Sequence, residues 1–179
     1  MNVMVQQPQV SATDVVLEIV NPVAEPRHEV EGFERFDPAP RFDRLDDQTI
    51  GLFWNGKALG DLALARVKEN LLARYPRLKF RDYIGVNGQQ LRRTTPAQLD
   101  EIAGECDAVV GATADCGSCC SWLVYEMCEL ERRGVATVAI TPEGFVEDAN
   151  WSAKLFGCPE APLLVTRAAI TSQPVALIH

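Results

Sequence analysis

Three cysteines and an aspartate lie within six residues, in the segment Asp115-Cys-Gly-Ser-Cys-Cys120. The segment separates an apolar run, which ends near Ala112, from a pattern typical of an amphipathic helix. A thiolate is the nucleophilic form of cysteine, and its pKa falls near a helix N-terminus, where unpaired N–H groups favour negative charge. The spacing therefore predicts a reactive sulfur site in which Asp115 is placed to transfer a proton.

The helical period separates the cysteines into two groups. Cys120 belongs to one apolar stripe of the helix, so we expect it to face the core as a small hydrophobic residue. The stripe consists of Cys120, Leu123, Met127 and Leu130. Cys116 and Cys119 are then left as an exposed C-x-x-C pair. The remaining three cysteines are expected to be structural and buried: Cys106, Cys128 and Cys158.

Other residues near this loop are candidates for binding a substrate. Asn55 and Lys57 are expected to point at the cysteines, where Lys57 would hold a thiolate or a substrate carboxylate. Trp122 lies one helical turn from the thiols and is either a core residue or the wall of a substrate pocket. Either Ser118 or Cys116 caps the helix, depending on where it begins. The candidate substrate-binding residues are Asn55, Lys57, Ser118, Trp122 and Thr141.

Other kinds of site fit the segment poorly, and no metal or cofactor is predicted. A structural zinc site needs about four ligands, but the cluster has no histidine and no second C-x-x-C. The glycines at 111 and 117 are not followed by the Lys-Ser/Thr of a P-loop. A cysteine phosphatase would place an arginine six residues after its nucleophile, where this chain has Trp122 or Tyr125. The only two histidines are at positions 28 and 179, which disfavours Cys–His and Ser–His–Asp arrangements.

The composition is that of an ordinary globular protein, with 47% hydrophobic and 23% charged residues. A net charge of −8 argues against binding to nucleic acid, because phosphate contacts need clustered Lys and Arg. No apolar run approaches the roughly 20 residues of a membrane span, and the first residues lack the features of a signal peptide. We therefore expect a cytoplasmic protein whose cysteines are normally reduced.

Apolar strands alternate with helical patterns after residue 47. The strands are expected at Thr49–Trp54, Leu78–Ile84, Cys106–Ala112, Val135–Ile140 and Leu163–Val165. This alternation predicts a flavodoxin-like, doubly wound α/β domain with a mostly parallel five-stranded sheet. Functional groups of such folds collect at the carboxyl ends of the strands, where three loops would meet: residues 55–57, 113–120 and 141–145.

The first 47 residues are predicted to be an N-terminal extension, since prolines interrupt them and charges are dense from Glu25 to Asp47. Residues 48–179 are then the α/β domain that carries the Cys-Gly-Ser-Cys loop. Within the extension, residues 14–20 are apolar enough for a short strand that lies on an edge or pairs with a partner. The extension is thus a candidate arm for a homo-oligomer.

The segment Asp115-Cys-Gly-Ser-Cys119, followed by Ser121-Trp122, resembles the UGSC family, whose members carry selenocysteine or cysteine at the first position of the motif. The strand and turn at 51–57, Gly134 and the strand ending at Ile140-Thr141 match the family as well. The resemblance covers roughly residues 45 to 170 and leaves 1–44 outside. The motif loop is also similar to that of the substrate-binding selenoprotein B of glycine, sarcosine and betaine reductases. Cys120 departs from the pattern and adds a second candidate partner for Cys116.

This resemblance implies that Cys116 is a nucleophile or redox centre, because selenium is used for its low pKa and ready redox chemistry. We expect a thiol-dependent enzyme that cleaves a carbon–heteroatom bond of a small molecule reductively. Cys119 would resolve the adduct on Cys116, and an external thiol or redox partner protein would restore the pair. Two alternatives are non-redox covalent catalysis, as a lyase, hydrolase or transferase, and a non-catalytic subunit of a larger complex.

Overall fold

The computed structural model of the protein describes residues 33–85, 94–174 and 176. Its strands are β1 (Thr49–Trp54), β2 (Lys79–Ile84), β3 (Ala108–Ala112), β4 (Ala136–Pro142) and β5 (Leu163–Thr166). Its helices are α1 (Gly60–Arg74), α2 (Pro96–Glu105), α3 (Gly117–Arg132) and α4 (Val146–Leu155). Two short 3₁₀ helices, η1 (Glu143–Phe145) and η2 (Ile170–Ser172), complete the described elements.

The five strands form one sheet in the order β2-β1-β3-β4-β5, and every neighbouring pair is parallel. This is the flavodoxin-like order, so the predicted fold class is confirmed, and the sheet is parallel throughout rather than mostly so. Parallel neighbours need a crossover connection, and the four helices supply one between each consecutive pair of strands.

Each face of the sheet buries its own apolar cluster. The cluster beneath α1 includes Ile50, Leu64 and Ile140. The larger cluster packs the other face against α2, α3 and α4, and it contains Leu99, Leu123, Met127, Ala153 and Cys158. No helix of the described part of the chain is long and apolar enough to cross a membrane.

The ends of α2 and α3 follow from local side-chain chemistry. Thr95 caps α2 in a capping box with Gln98, and Pro96 occupies the first turn. After α3, Gly134 has a φ of 83°, a left-handed conformation that glycine adopts without strain.

Four of the five predicted strands are offset by one or two residues at an end, and the start of β3 has an identifiable cause. Cys106 does not begin β3, because its N–H group still donates to the Ile102 carbonyl oxygen at 3.0 Å and the residue closes α2. The fourth helix, α4, begins at Val146, directly after η1. Nothing after Gly144 breaks a helix, and the acidic Glu147 and Asp148 in the first turn suit its N-terminus.

Residues 33–41 lie along α3 and α4. The N–H of Phe36 donates to the Gly157 carbonyl oxygen at 2.8 Å. Gly157 has a φ of 87°, and a side chain there would collide with the carbonyl group of Glu34. The division between extension and domain at residue 47 stays a prediction, and the strand expected at residues 14–20 lies outside the described residues.

Candidate active site

Cys116 and Cys119 are joined in a disulfide bond across the first turn of α3, with their Cα atoms 5.3 Å apart. Cys116 is the N-cap of the helix, in an extended conformation, and its Sγ accepts the N–H of Cys119 at 3.4 Å. The sequence allows either Ser118 or Cys116 as the cap, and in the structure it is Cys116. It allows either Cys119 or Cys120 as the partner of Cys116, and in the structure it is Cys119. This position puts the Cys116 sulfur at the positive end of the helix.

The two sulfurs of the pair differ in exposure. Cys116 is half-buried, whereas Cys119 is only 8% exposed. The expectation that both are exposed is therefore wrong for Cys119. Gly117 and Ser118, between them, are exposed, and the Ser118 Oγ lies 3.9 Å from the Cys116 Sγ. Cys116 is consequently the sulfur of the pair that a molecule from solvent can approach.

Asp115 lies immediately before the cap and is 7% exposed. Its Oδ2 accepts the backbone N–H of Thr171 in η2 at 3.0 Å. Its Oδ1 is buried and has no hydrogen-bond partner among the described residues. Since buried carboxylate oxygens are normally hydrogen-bonded, Asp115 has an unused acceptor next to Cys116.

Two threonine hydroxyls near Asp115 are also buried without a hydrogen-bond partner among the described residues. Thr113 and Thr141 are fully buried, and neither Oγ1 has a partner in the described part of the chain. The backbone brings them side by side, because the N–H of Ala114 donates to the Ile140 carbonyl oxygen at 3.0 Å and continues the β3–β4 register. Thr141 was a predicted site residue. Thr113 was not, although a polar residue directly after a buried strand was the signal available.

Asn55 holds the end of β3 in place. Its Nδ2 donates to the Thr113 carbonyl oxygen at 2.8 Å, and its Oδ1 accepts the Thr113 N–H at 3.1 Å. The peptide bond between Ala112 and Thr113 is cis. Asn55 is 1% exposed, so its amide is directed at the backbone of the loop.

Lys57 and Trp122 lie at the edge of the site. The backbone N–H of Lys57 donates to the Asn55 Oδ1 at 3.3 Å, and its carbonyl oxygen accepts the Trp54 indole N–H at 2.6 Å. The Lys57 ammonium forms no ion pair with a carboxylate among the described residues. Trp122 is half-buried, one turn beyond Cys119 on α3. A substrate-binding role for either side chain stays a prediction.

The other cysteines are buried as the sequence predicts. Cys120 is fully buried, and its Sγ donates to the Phe145 carbonyl oxygen at 3.7 Å. Burial raises the pKa of Cys120 to about 12, so it stays a thiol at neutral pH. The same cause, loss of solvation, raises the pKa values of Cys106, Cys128 and Cys158.

The three loops predicted to meet at the carboxyl edge of the sheet are brought together by these contacts. Asn55 donates a hydrogen bond to Thr113, Ala114 donates one to Ile140, and Cys120 donates one to Phe145. Among the described residues, no three His, Cys, Asp or Glu side chains are grouped so as to hold a metal ion.

The sequence patterns did not predict that two acids of α3 are buried, Glu126 and Glu131. Glu126 is fully buried, its Oε1 accepts the N–H and hydroxyl groups of Thr94, and its Oε2 has no partner in the described structure. Its position beside the apolar stripe, three residues after Leu123, was the available signal.

Comparison with known proteins identifies one protein family, which matches nearly the whole length of the chain. No curated protein sequence matches it. The sequence model of the UGSC family matches residues 18–178, which extends the similarity beyond the span of 45 to 170 and includes part of the N-terminal extension. With the Cys-Gly-Ser-Cys motif at the start of α3, the chain belongs to the UGSC family.

Proposed function

We propose that the protein is a thiol-dependent enzyme that acts on a small molecule, with Cys116 as its nucleophile or redox centre. The observation that carries the proposal is the Cys116–Cys119 disulfide at the N-terminus of α3, where the Cys116 sulfur caps the helix. A helix N-terminus stabilises a thiolate, and a neighbouring thiol resolves adducts formed on it. Cys116 is also the more exposed of the two.

The proposed reaction is reductive cleavage of a carbon–heteroatom bond. The Cys116 thiol gives its proton to the Asp115 carboxylate, and the thiolate attacks the heteroatom. The bond to carbon breaks, and the carbon takes that proton from Asp115. Cys119 then attacks the Cys116 sulfur, and the heteroatom leaves as its protonated form. Two electrons have passed to the substrate, and the Cys116–Cys119 disulfide remains. An external thiol or a redox partner protein of the reducing cytoplasm returns two electrons by disulfide exchange.

The unpartnered polar atoms of Thr113, Asp115 and Thr141 support a binding role for this region. Thr113 Oγ1, Asp115 Oδ1 and Thr141 Oγ1 are buried at adjacent strand ends without hydrogen-bond partners in the described structure. A substrate with hydroxyl, amino or amide groups would satisfy them, and a buried polar group gains free energy when it is paired. Ser118, Trp122 and the Lys57 ammonium would contact the substrate from the exposed side.

The experiment that tests the proposal treats the reduced protein with one equivalent of 5,5′-dithiobis(2-nitrobenzoate). We expect the wild type to release two thionitrobenzoate ions per chain and to end as the Cys116–Cys119 disulfide. Cys119→Ser should release one ion and keep the mixed disulfide on Cys116. Cys116→Ser should react far more slowly, and Cys158→Ser, a matched control in the core, should behave as the wild type.

Two outcomes would overturn the redox proposal. If the wild type stops at a stable adduct on Cys116, single-cysteine catalysis as a lyase, hydrolase or transferase is favoured. If Cys116 and Cys119 are both inert in the native protein, a non-catalytic subunit of a complex is favoured.

A further inference from the structure

The strand β5 lies at one edge of the sheet, and in the described structure it is bonded only to β4. The N–H of Ala139 in β4 donates to the Pro162 carbonyl oxygen at 3.1 Å. Since backbone groups alternate in direction along a strand, Leu163 and Val165 then point their N–H and carbonyl groups away from β4. No described residue bonds these outward groups. An unpaired edge of this kind is a template for another strand.

The side chains of β5 suit pairing with another strand. Leu164 is 48% exposed and Val165 is 47% exposed, and the two point to opposite faces of the sheet. Parallel strands are normally covered on both faces, so these side chains lack the cover that such a strand usually has. The strand reads Leu-Leu-Val-Thr and contains no charged residue and no proline. It therefore has none of the residues that commonly prevent edge strands from pairing.

The other edge strand, β2, is different. It carries exposed charged side chains at Lys79, Arg81 and Asp82. Charges along an edge oppose its association with another strand, because pairing would remove them from water. Of the two edges of the sheet, β5 is therefore the one suited to a partner strand.

The charges that flank β5 complement those of a second copy of the same strand. Glu160 precedes β5 and Arg167 follows it, and both are exposed. Two copies related by a two-fold axis would pair antiparallel, so that the start of each strand lies beside the end of the other. Glu160 of each copy would then lie near Arg167 of the other. Glu160 binds Arg35 at 3.4 Å through Oε1, and with side chains 70% and 68% exposed this pair is weak.

We infer that two copies of the chain associate through β5 and form an antiparallel strand pair across a two-fold axis. The exposed Leu164 and Val165 side chains of the two copies would cover each other, Leu164 on one face of the sheet and Val165 on the other. With 4 residues in each strand the interface is small, so the dissociation constant should lie in the micromolar range. This surface goes beyond the proposed function, because none of its residues belongs to the thiol site.

Sedimentation equilibrium of the full-length protein, with a reductant that prevents disulfides between chains, tests this interface. We expect a dimer whose population rises between about 1 and 300 µM. Val165→Pro removes an outward N–H group and keeps the bonds to β4, so it should weaken the dimer about tenfold. Val165→Lys should weaken it at least as much. Ile84→Lys, the same kind of change at an exposed position of β2, is the matched control and should leave the dimer unchanged.

A charge exchange tests whether the partner strand is a second β5. Glu160→Arg and Arg167→Glu should each weaken the dimer by about tenfold, because each replaces two attractive contacts with repulsive ones. The double variant should regain most of the wild-type affinity, since the same contacts form again with the signs exchanged. The two residues lie at opposite ends of β5, so this rescue requires two chains. Thermal unfolding of each variant establishes that it is folded.

The inference is overturned if the wild type stays monomeric over this concentration range, or if Val165→Pro and Val165→Lys associate like the wild type. Failure of the double charge exchange to restore the dimer would overturn it as well. If Ile19→Lys weakens the dimer as strongly as Val165→Lys does, the apolar stretch at residues 14–20 holds the copies together and the inference is also overturned.

Discussion

Asn55 holds the Thr113 peptide from both sides, as donor to its carbonyl oxygen and as acceptor of its N–H. The sequence predicts Asn55 as a substrate ligand because it follows a strand at the expected site edge. Its amide bonds the backbone of the neighbouring loop instead, at Thr113, two residues before the buried Asp115. A side-chain amide can bind either a ligand or the protein backbone. Which of these roles Asn55 has depends on where β3 lies beside it, and that position is known only from the structure.

At this residue, Asn55→Leu should destabilise the protein by about 2–4 kcal/mol, because two buried backbone groups of Thr113 lose their partners. Urea unfolding measures the difference. Asn150→Leu, at an exposed position of α4, is the matched control and should change stability by no more than about 0.5 kcal/mol. An Asn55→Leu variant as stable as this control would show that Asn55 does not hold the loop.

The two neighbouring cysteines, Cys119 and Cys120, show how accurately helical periodicity predicts burial. Cys120 was predicted to be buried and is, but Cys119 is buried as well. Cys119 precedes Leu123 by four positions, so the two lie on the same side of α3. The buried stripe of a helix covers more than 100° of its circumference. Helical periodicity therefore predicts the centre of the stripe more accurately than its edges.

At the scale of single elements, α3 carries an acid that tertiary packing has buried. Glu126 accepts hydrogen bonds from Thr94, just before α2, and thereby connects two helices on the same face of the sheet. Desolvation raises its pKa to about 7, against the lowering effect of the bonds from Thr94. The raised pKa means that the folded state binds a proton more tightly than the unfolded state does.

The stability that this proton contributes is present below the ordinary pKa of a glutamate and is lost as the pH rises through about 7. Between pH 4.5 and pH 8, Glu126 should therefore reduce the free energy of unfolding by about 3 kcal/mol. Glu126→Gln mimics the protonated side chain and should remove this loss. Urea unfolding of both proteins at pH 5 and pH 8 measures it, and equal pH dependence in the two would contradict the assignment.

At the scale of the whole molecule, much of the fold was predictable from the spacing of apolar runs. The five strands and four helices fall where buried runs and helical periods alternate, and parallel neighbours require such crossovers. The position of the Cys116–Cys119 pair was predictable because Cys116 stands between β3 and α3. The packing of residues 33–41 was not, since it depends on Glu131, which is distant in sequence.

The Glu131 side chain is fully buried and connects residues 33–41 to the domain. Its Oε1 accepts the N–H and hydroxyl groups of Thr137, and its Oε2 accepts the N–H of Ala39 at 2.6 Å. Arg41 donates to both carboxylate oxygens. A chain cut at residue 47 would lose the bonds from Ala39 and Arg41 and leave a buried carboxylate partly unpaired.

Truncation to residues 48–179 should therefore change the effect of Glu131→Gln on the free energy of unfolding. In residues 33–179, Glu131→Gln should cost about 3 kcal/mol, because its amide would face the N–H of Ala39 and the Arg41 guanidinium. In residues 48–179 the same substitution should be neutral or stabilising. Chemical denaturation of the four proteins measures both effects. Equal costs in the two backgrounds would show that residues 33–47 do not neutralise Glu131.

Alkylation measures directly whether Cys116 is the reactive sulfur of the site. The reduced full-length protein is treated with limiting iodoacetamide at pH 7, and peptide mass spectrometry gives a rate for each of the six cysteines. We expect Cys116 to react on the order of tenfold faster than Cys119, since it caps α3 and is the more exposed sulfur. The buried Cys120, with its raised pKa, should react more slowly still. A Cys116 rate equal to that of Cys119 or Cys120 would contradict the claim.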